Sequence, residues 1–178
     1  LNMKDKIKQF LKNKKQPVLI LKHEGNTNIL YGWSKIRNPI KTGFNACIIN
    51  ICKILPLGMK VYFLRFFLGM KIGKNVGIAP STEIDPYFPE LISIGDNVTI
   101  GWKVNILCHE FTQARIRFGR VNIGKNALIG AFSLIRSGVS IGDNSVIAMD
   151  SFVNKDIPPN ELWGGVPVKR IRKLKEAI

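Results

Sequence analysis

The sequence predicts a mainly β protein: a parallel β-helix of four triangular turns, with an extruded loop, an N-terminal region of helix and hairpin, and a short C-terminal helix. Three observations predict it. An aliphatic residue returns every six positions through Ile72, Ile78, Ile84, then Ile94, Ile100, Ile106, then Ile123, Ile129, Ile135, then Ile141, Ile147, Val153. Ile72, Ile94, Ile123 and Ile141 each open an Ile-Gly unit followed by Lys-Asn or Asp-Asn. Four positions after most beats stands a small or β-branched residue, among them Val76, Thr82, Val98, Val104, Ala127, Ser133 and Val139. A period of six matches neither a helix nor simple strand alternation, so it reads as a repeat. Three hexads close one triangular turn, each aliphatic residue points inward, and Asn or Gly at the corners accepts left-handed backbone. A sandwich of short strands would not require the fixed phase.

The elements follow in order. Leu1-Asn2 ahead of Met3 is set aside as an appendage to the fold. Residues 1–70 form a basic, apolar N-terminal region, 71–162 the repeat, and 163–178 a closing segment with its helix. Lys4, Lys6, Lys8 and Lys12 surround Ile7, Phe10 and Leu11, which gives a short basic amphipathic helix. Residues 18–21 and 28–31 flank Glu24-Gly25-Asn26, a hairpin pattern. Residues 44–70 are apolar but broken by Lys53, Pro56, Gly58, Lys60 and Arg65, so no transmembrane span is expected. They read either as helices capping the coil or as a surface, with Phe63, Phe66 and Phe67 beside the lysines, for peripheral contact with an anionic membrane.

The repeat loses phase twice. Ile84 to Ile94 is ten residues and Ile106 to Ile123 is seventeen. A coil absorbs extra residues only by extruding them at a corner, so residues 107–121 form an external loop, carrying Cys108, His109 and Glu110. Loops on rigid scaffolds are where function concentrates.

The net charge of +15 is concentrated early: twelve Lys/Arg against two acids up to Lys60, then fifteen against ten. No nucleic-acid module accompanies it. Three cysteines do not make a disulfide framework; Cys47 and Cys52 are expected to be buried thiols. With no leader peptide visible, a cytoplasmic setting is expected, with the inner face of the membrane as a place of peripheral contact. A metal-dependent solenoid enzyme would need about three histidines; only His23 and His109 exist, so no metal is expected.

Residues 68–174 resemble the hexapeptide-repeat acyltransferases, closest to the branch of galactoside, maltose and surface-polysaccharide O-acetyltransferases. Three stretches carry the resemblance: Ile84-Asp85-Pro86 with Phe88-Pro89-Glu90-Leu91, Val153-Asn154-Lys155-Asp156-Ile157-Pro158-Pro159-Asn160, and Gly164-Gly165-Val166-Pro167-Val168-Lys169-Arg170. The resemblance implies a left-handed coil, a homotrimer with sites between neighbouring coils, and acetyl transfer from acetyl-CoA to a sugar hydroxyl in capsule, lipopolysaccharide or other glycan assembly. It implies that a loop histidine is the general base, and His109 alone matches. An imidazole is basic enough to assist a hydroxyl while staying mostly neutral near pH 7. Glu110 either orients that imidazole, holds an acceptor hydroxyl, or is a solvated charge. Cys108 as an acyl carrier is disfavoured, because adjacent extended side chains point apart. The resemblance places CoA contacts at Ala131, Met149, Asn154, Lys155, Lys169 and Arg172, the cations facing phosphate; Met149 departs from the small residue usual there. Trp163 lines the CoA channel or caps the last turn. Asp85 and Asn105 are candidates for holding the acceptor. Competing readings are N-acetylation of an amino sugar or other small molecule, and a non-catalytic binding solenoid, which predicts no stabilisation by CoA thioesters.

Overall fold

The computed structural model describes residues 2–23 and 28–175. In chain order the N-terminal part holds α1 (Met3–Lys12), β1 (Val18–Lys22), a 3-10 segment (Ile29–Lys35), α2 (Pro39–Cys52) and α3 (Leu57–Leu68). The first coil is β2 (Lys71–Ile72), β3 (Gly77–Ile78) and β4 (Glu83–Ile84); the second is β5 (Ile92–Ile94), β6 (Thr99–Ile100) and β7 (Asn105–Ile106). A hairpin of β8 (His109–Phe111) and β9 (Arg115–Gly119) intervenes. The third coil is β10 (Val121–Ile123), β11 (Leu128–Ile129) and β12 (Leu134–Ile135), and the fourth is β13 (Ser140–Ile141), β14 (Val146–Ile147) and β15 (Phe152–Val153). A closing hairpin of β16 (Glu161–Gly164) and β17 (Lys169–Lys173) ends the fold.

The twelve beats become three stacked columns. Ile72, Ile94, Ile123 and Ile141 align in one parallel sheet. Ile78, Ile100, Ile129 and Ile147 align in the second, and Ile84, Ile106, Ile135 and Val153 in the third. All twelve are buried. Each strand sends an N–H to the coil after it, as Gly73 N–H to Ile94 C=O, then Gly95 N–H to Ile123 C=O.

The first corner is built on Asn75, Asn97, Asn126, Asn144 and Asn160, all left-handed with φ between 53° and 59°. Asn tolerates this backbone better than most residues because its short amide bonds locally. Here the amides also bond to each other: Nδ2 of Asn97, Asn126 and Asn144 each donates to Oδ1 of the asparagine in the next coil, at 3.2, 2.9 and 3.0 Å. The second corner carries Ser81, Lys103, Phe132 and Asp150 at positive φ, none of them glycine. Both insertions leave the third corner, on neighbouring coils, and pack on each other through Phe88 and Phe118, whose rings are 4.9 Å apart.

The first coil has no predecessor to bond its strand carbonyls. Cations from α3 do so instead. Lys60 Nζ donates to the Ile78 and Ala79 carbonyls at 3.1 and 3.3 Å, and Arg65 to those of Ile72 and Gly73. A buried carbonyl left unmet costs about 1–3 kcal/mol, which explains a lysine that is only 4% exposed. Burial holds its ammonium below the usual lysine range. Among the described residues, no helix is long and apolar enough to cross a membrane.

Five expectations are corrected. Residues 18–22 do not hairpin with 28–31: β1 pairs antiparallel with β9, making a three-stranded sheet with β8. Asn28 instead caps the 3-10 segment by accepting from Leu30 N–H; the turn Glu24-Gly25-Asn26 lies outside the described residues. The C-terminal helix is the strand β17, because β16 offers it an open edge and Gly165, at φ 95°, turns the chain back. Residues 107–121 are mostly ordered strand, and Val121 already belongs to the third coil. Cys47 is exposed while Cys52 is buried, and Asn2 is no appendage, since its side chain caps α1 by accepting from Asp5 N–H.

Replacing Asn126 tests the ladder. Asn126→Ala loses two side-chain bonds and puts a Cβ-bearing residue without local bonding at positive φ; a loss of about 1–2 kcal/mol follows. Asn126→Gly keeps the backbone comfortable and loses less. Urea midpoints should fall in the order wild type, Gly, Ala; equal midpoints would show that the ladder contributes nothing.

Candidate active site

The third corner brings two insertions of the repeat together around one carboxylate. Asp85 directly follows β4. Its Oδ1 accepts from Tyr87 N–H and Phe88 N–H at 2.8 and 3.1 Å, which turns the chain out of the coil. Its Oδ2 accepts from Cys108 N–H at 2.7 Å and faces His109 Nδ1 at 2.5 Å. Asp85 is fully buried, at 0% exposure. Three backbone N–H groups donate to it, and with the carboxylate as acceptor His109 Nδ1 takes the donor role as the protonated ring nitrogen. The lone pair of the imidazole is then on Nε2. Tyr87 and Phe111 flank the imidazole, with ring centroids 4.5 and 4.6 Å away. Trp33 of the 3-10 segment meets Tyr87 edge-on at 5.6 Å. Burial, then the Asp85 charge, raises the Tyr87 phenol above its usual value, so it stays protonated.

Glu110 points elsewhere. Arg136 donates to it at 2.8 and 2.9 Å, Ser137 Oγ at 2.5 Å, and Arg117 lies 3.4 Å away. Burial alone would raise its carboxyl; the bonds from Arg136 and Ser137 and the charges of Arg136 and Arg117 outweigh that and hold it below the ordinary range. Glu110 is thus the counter-ion that ties the hairpin to the third corner of the third coil, just after β12. It does not orient the imidazole; Asp85 does. Asp85 in turn cannot hold an acceptor, because its oxygens are enclosed and engaged.

Cys108 is fully buried, and burial, followed by the Asp85 and Glu90 charges, raises its thiol well above the usual value. A thiol that stays protonated is no nucleophile. Asn105 lies on the outer face of the third sheet, in register with Glu83 and Leu134, and its amide donates to the Lys103 carbonyl at 3.3 Å.

The residues expected at CoA gather at other edges. Ala131 and Met149 occupy the second corner on successive coils, joined by Asp150 N–H to Ala131 C=O at 2.9 Å, and the Met149 side chain is exposed. The closing hairpin lies against this corner: Gly165 N–H donates to Ser151 Oγ at 3.1 Å, and Lys169 pairs with Gly164. Arg172 lies further along β17, opposite Leu162. Lys155 stands 6.0 Å above the Trp163 ring, and the neighbouring Asn154 has a buried Oδ1 with no donor among the described residues. Within one chain, therefore, the imidazole is at the third corner while Ala131 and Met149 are at the second. Among the described residues no three His, Cys, Asp or Glu lie close enough to hold a metal ion.

A family model described as the hexapeptide repeat of succinyl-transferase matches residues 120–155. YvoF of Bacillus subtilis (strain 168), which bears the name of an acetyltransferase, is 39% identical over 138 residues, covering 77% of this chain and 80% of its own. The galactoside O-acetyltransferase of Escherichia coli (strain K12) is 39% identical over 102 residues, 53% of this chain and 49% of that one. The Vibrio cholerae acetyltransferase VCA0836, solved with acetyl-CoA, shares the fold at a TM-score of 0.67 and 23% identity, covering 80% of this chain and 91% of that one. This chain belongs to the hexapeptide-repeat acetyltransferase family.

The Glu110 cluster gives a pH test. A carboxyl held low in the native state adds stability that is fully present above its unfolded pKa, about 4.3, and is lost as pH falls through the lower native value. Glu110→Gln should be less stable than wild type in urea at neutral pH, with the gap closing below about pH 4. A gap independent of pH would remove the charged pairing as its source.

Proposed function

We propose that this acetyltransferase moves the acetyl group of acetyl-CoA to a sugar hydroxyl, in the assembly of a surface glycan, with His109 as general base. One observation carries the reading: His109 Nδ1 is committed to the buried Asp85 at 2.5 Å. That leaves Nε2 as the proton acceptor, and general-base assistance is worth about 10²–10⁴-fold. The acceptor oxygen attacks the thioester carbonyl carbon while Nε2 takes the hydroxyl proton. The C–S bond then breaks and the departing thiolate receives that proton. Asp85 is a positioning residue: it fixes the tautomer and balances the imidazolium as it forms.

Acetyl-CoA as donor is supported by the family and by the fold shared with the acetyl-CoA complex of VCA0836. A sugar acceptor is supported by the similarity to galactoside O-acetyltransferase. Ala131 and Met149 would meet the pantetheine arm through backbone, so the exposed Met149 side chain need not obstruct it. Asn154 would border the arm beside Lys155, and Lys155, Lys169 and Arg172 would face the phosphates. Asn105, outward on the third sheet, remains the acceptor contact. A homotrimer of left-handed coils would complete the site by setting the second corner of one protomer against the third corner of the next, and closed cyclic association suits such a one-sided pairing.

Free-thiol release from acetyl-CoA with a panel of mono- and oligosaccharides tests this. Wild type should release thiol only with a hydroxyl acceptor present. His109→Ala should fall at least about 10²-fold, and Asp85→Asn about 10–10²-fold with an unchanged KM for acetyl-CoA. Release by His109→Ala at the wild-type rate would sink the base assignment. Turnover with amino sugars alone would sink O-acetylation.

A further inference from the structure

Helices α2 and α3 are apolar on both sides. Their inner faces, including Ile48, Ile49, Leu64 and Leu68, are buried on the coil. Their outer faces are apolar too and are open: Ile40 is 83% exposed, Phe66 68% and Tyr62 57%. The outer rings form one connected patch. Tyr62 stacks on Phe66 at 5.7 Å, Phe66 meets Phe67 at 5.0 Å, and Phe67 meets Phe44 of α2 at 6.1 Å. Ile40, one turn before Phe44, extends the patch along α2. A helix that is apolar all round normally has a second partner, and a contiguous exposed patch marks a docking site.

Beside the patch, and sharing Ile40 with it, runs a groove of about 640 Å³ between α1 and residues 34–41. Its apolar floor includes Ile7 and Leu11, its rim carries Lys4, Lys8, Lys35 and Lys41, and among the described residues no acid lines it. A fifth cation, Arg37, is tied to Glu90 at 2.6 Å. Lysines around an apolar floor, next to an aromatic patch, form a two-part surface: cations for phosphate, rings for the layer beneath it.

We infer that this face docks the protein onto an anionic phospholipid bilayer, with the groove lysines on headgroup phosphates and Ile40, Phe44, Tyr62 and Phe66 in the interfacial layer. Charge decides the occupant. A second copy meeting this face symmetrically would set its four rim lysines against the same four, a like-charge contact. A nucleic acid would satisfy the lysines and leave Ile40 and Phe66 in water. The surface stands independently of the catalytic reading. It is adjacent to it, however, since Ser34 and Lys35 directly follow Trp33, the ring against Tyr87. An acceptor carried at the membrane would thus arrive near the imidazole.

The test is co-sedimentation of the full chain with vesicles of phosphatidylcholine, alone or doped with phosphatidylglycerol, at low and high salt. Binding to the doped vesicles only, weakened by salt, is expected. Lys4→Gln/Lys8→Gln/Lys35→Gln and, separately, Ile40→Ser/Phe66→Ser should each weaken it at least about tenfold with unchanged circular dichroism. No binding to doped vesicles at low salt overturns the proposal. So does binding that Ile40→Ser/Phe66→Ser leaves intact, or that a single-stranded oligonucleotide competes away, either of which would mark a charge-only surface. A fall in sedimentation mass in Ile40→Ser/Phe66→Ser overturns it as well, by assigning the patch to a subunit contact.

Discussion

Each coil is tied to the coils before and after it, strand N–H groups such as that of Gly95 donating forward and corner N–H groups such as that of Asn97 donating back, and the rest of the molecule is arranged to keep that ladder unbroken. Because the ladder runs through every coil in register, the aliphatic beats must fall in columns, and a six-residue side leaves one or two corner residues to make each bend. Those residues sit at positive φ, where asparagine and its amide ladder offset the cost. At the first coil the ladder would end in bare carbonyls, and Lys60 and Arg65 of α3 supply the missing donors. At the far end Gly142, Ala148 and Phe152 still donate, to carbonyls of Ile157, Trp163 and Gly165 in the closing segment. Extra residues can leave only at a corner.

The site follows from that restriction. Two insertions on adjacent coils leave the same corner and are forced to pack together, the first delivering Asp85 and Tyr87, the second Cys108 and His109. The coil holds the carboxylate against the imidazole with no substrate present, the kind of preorganisation that general-base chemistry rewards. The Glu110 cluster then fixes the hairpin to Arg136 and Ser137, so the strand that begins with His109 is braced on both sides.

Much of this was legible in the residues. The beats from Ile72 to Val153 give the three columns and the four coils directly, and the phase breaks give the position of His109. Even the role of Asp85 had a signal: both breaks follow the third beat of their triplet, Ile84 and Ile106, so both insertions had to leave one corner on neighbouring coils. Read that way, Asp85 and His109 are neighbours before any coordinates exist, and Glu110 loses its claim. What stayed hidden depended on distant partners. Residues 18–22 look like half of a local hairpin because a sequence window cannot see β9, and the run Lys169–Lys173 looks helical by charge because the open edge of β16 is a tertiary fact. The walls of the site, Trp33 and Phe111, come from segments with no repeat to announce them.

The pairing of β1 with β9 has a consequence for how the chain is born. Ile20 must wait for Arg117, and at ordinary synthesis rates of about 5–20 residues per second that wait lasts on the order of 5–20 s. During it the coil can assemble locally, turn upon turn, while the first strand off the ribosome stays single and apolar. The N-terminal strand, made first, is thus seated only after the first two coils have been made, and before the last two. Its closure over the hairpin, with Arg120 donating to the carbonyls of Phe10 and Gln16, ties the start of the chain to its middle.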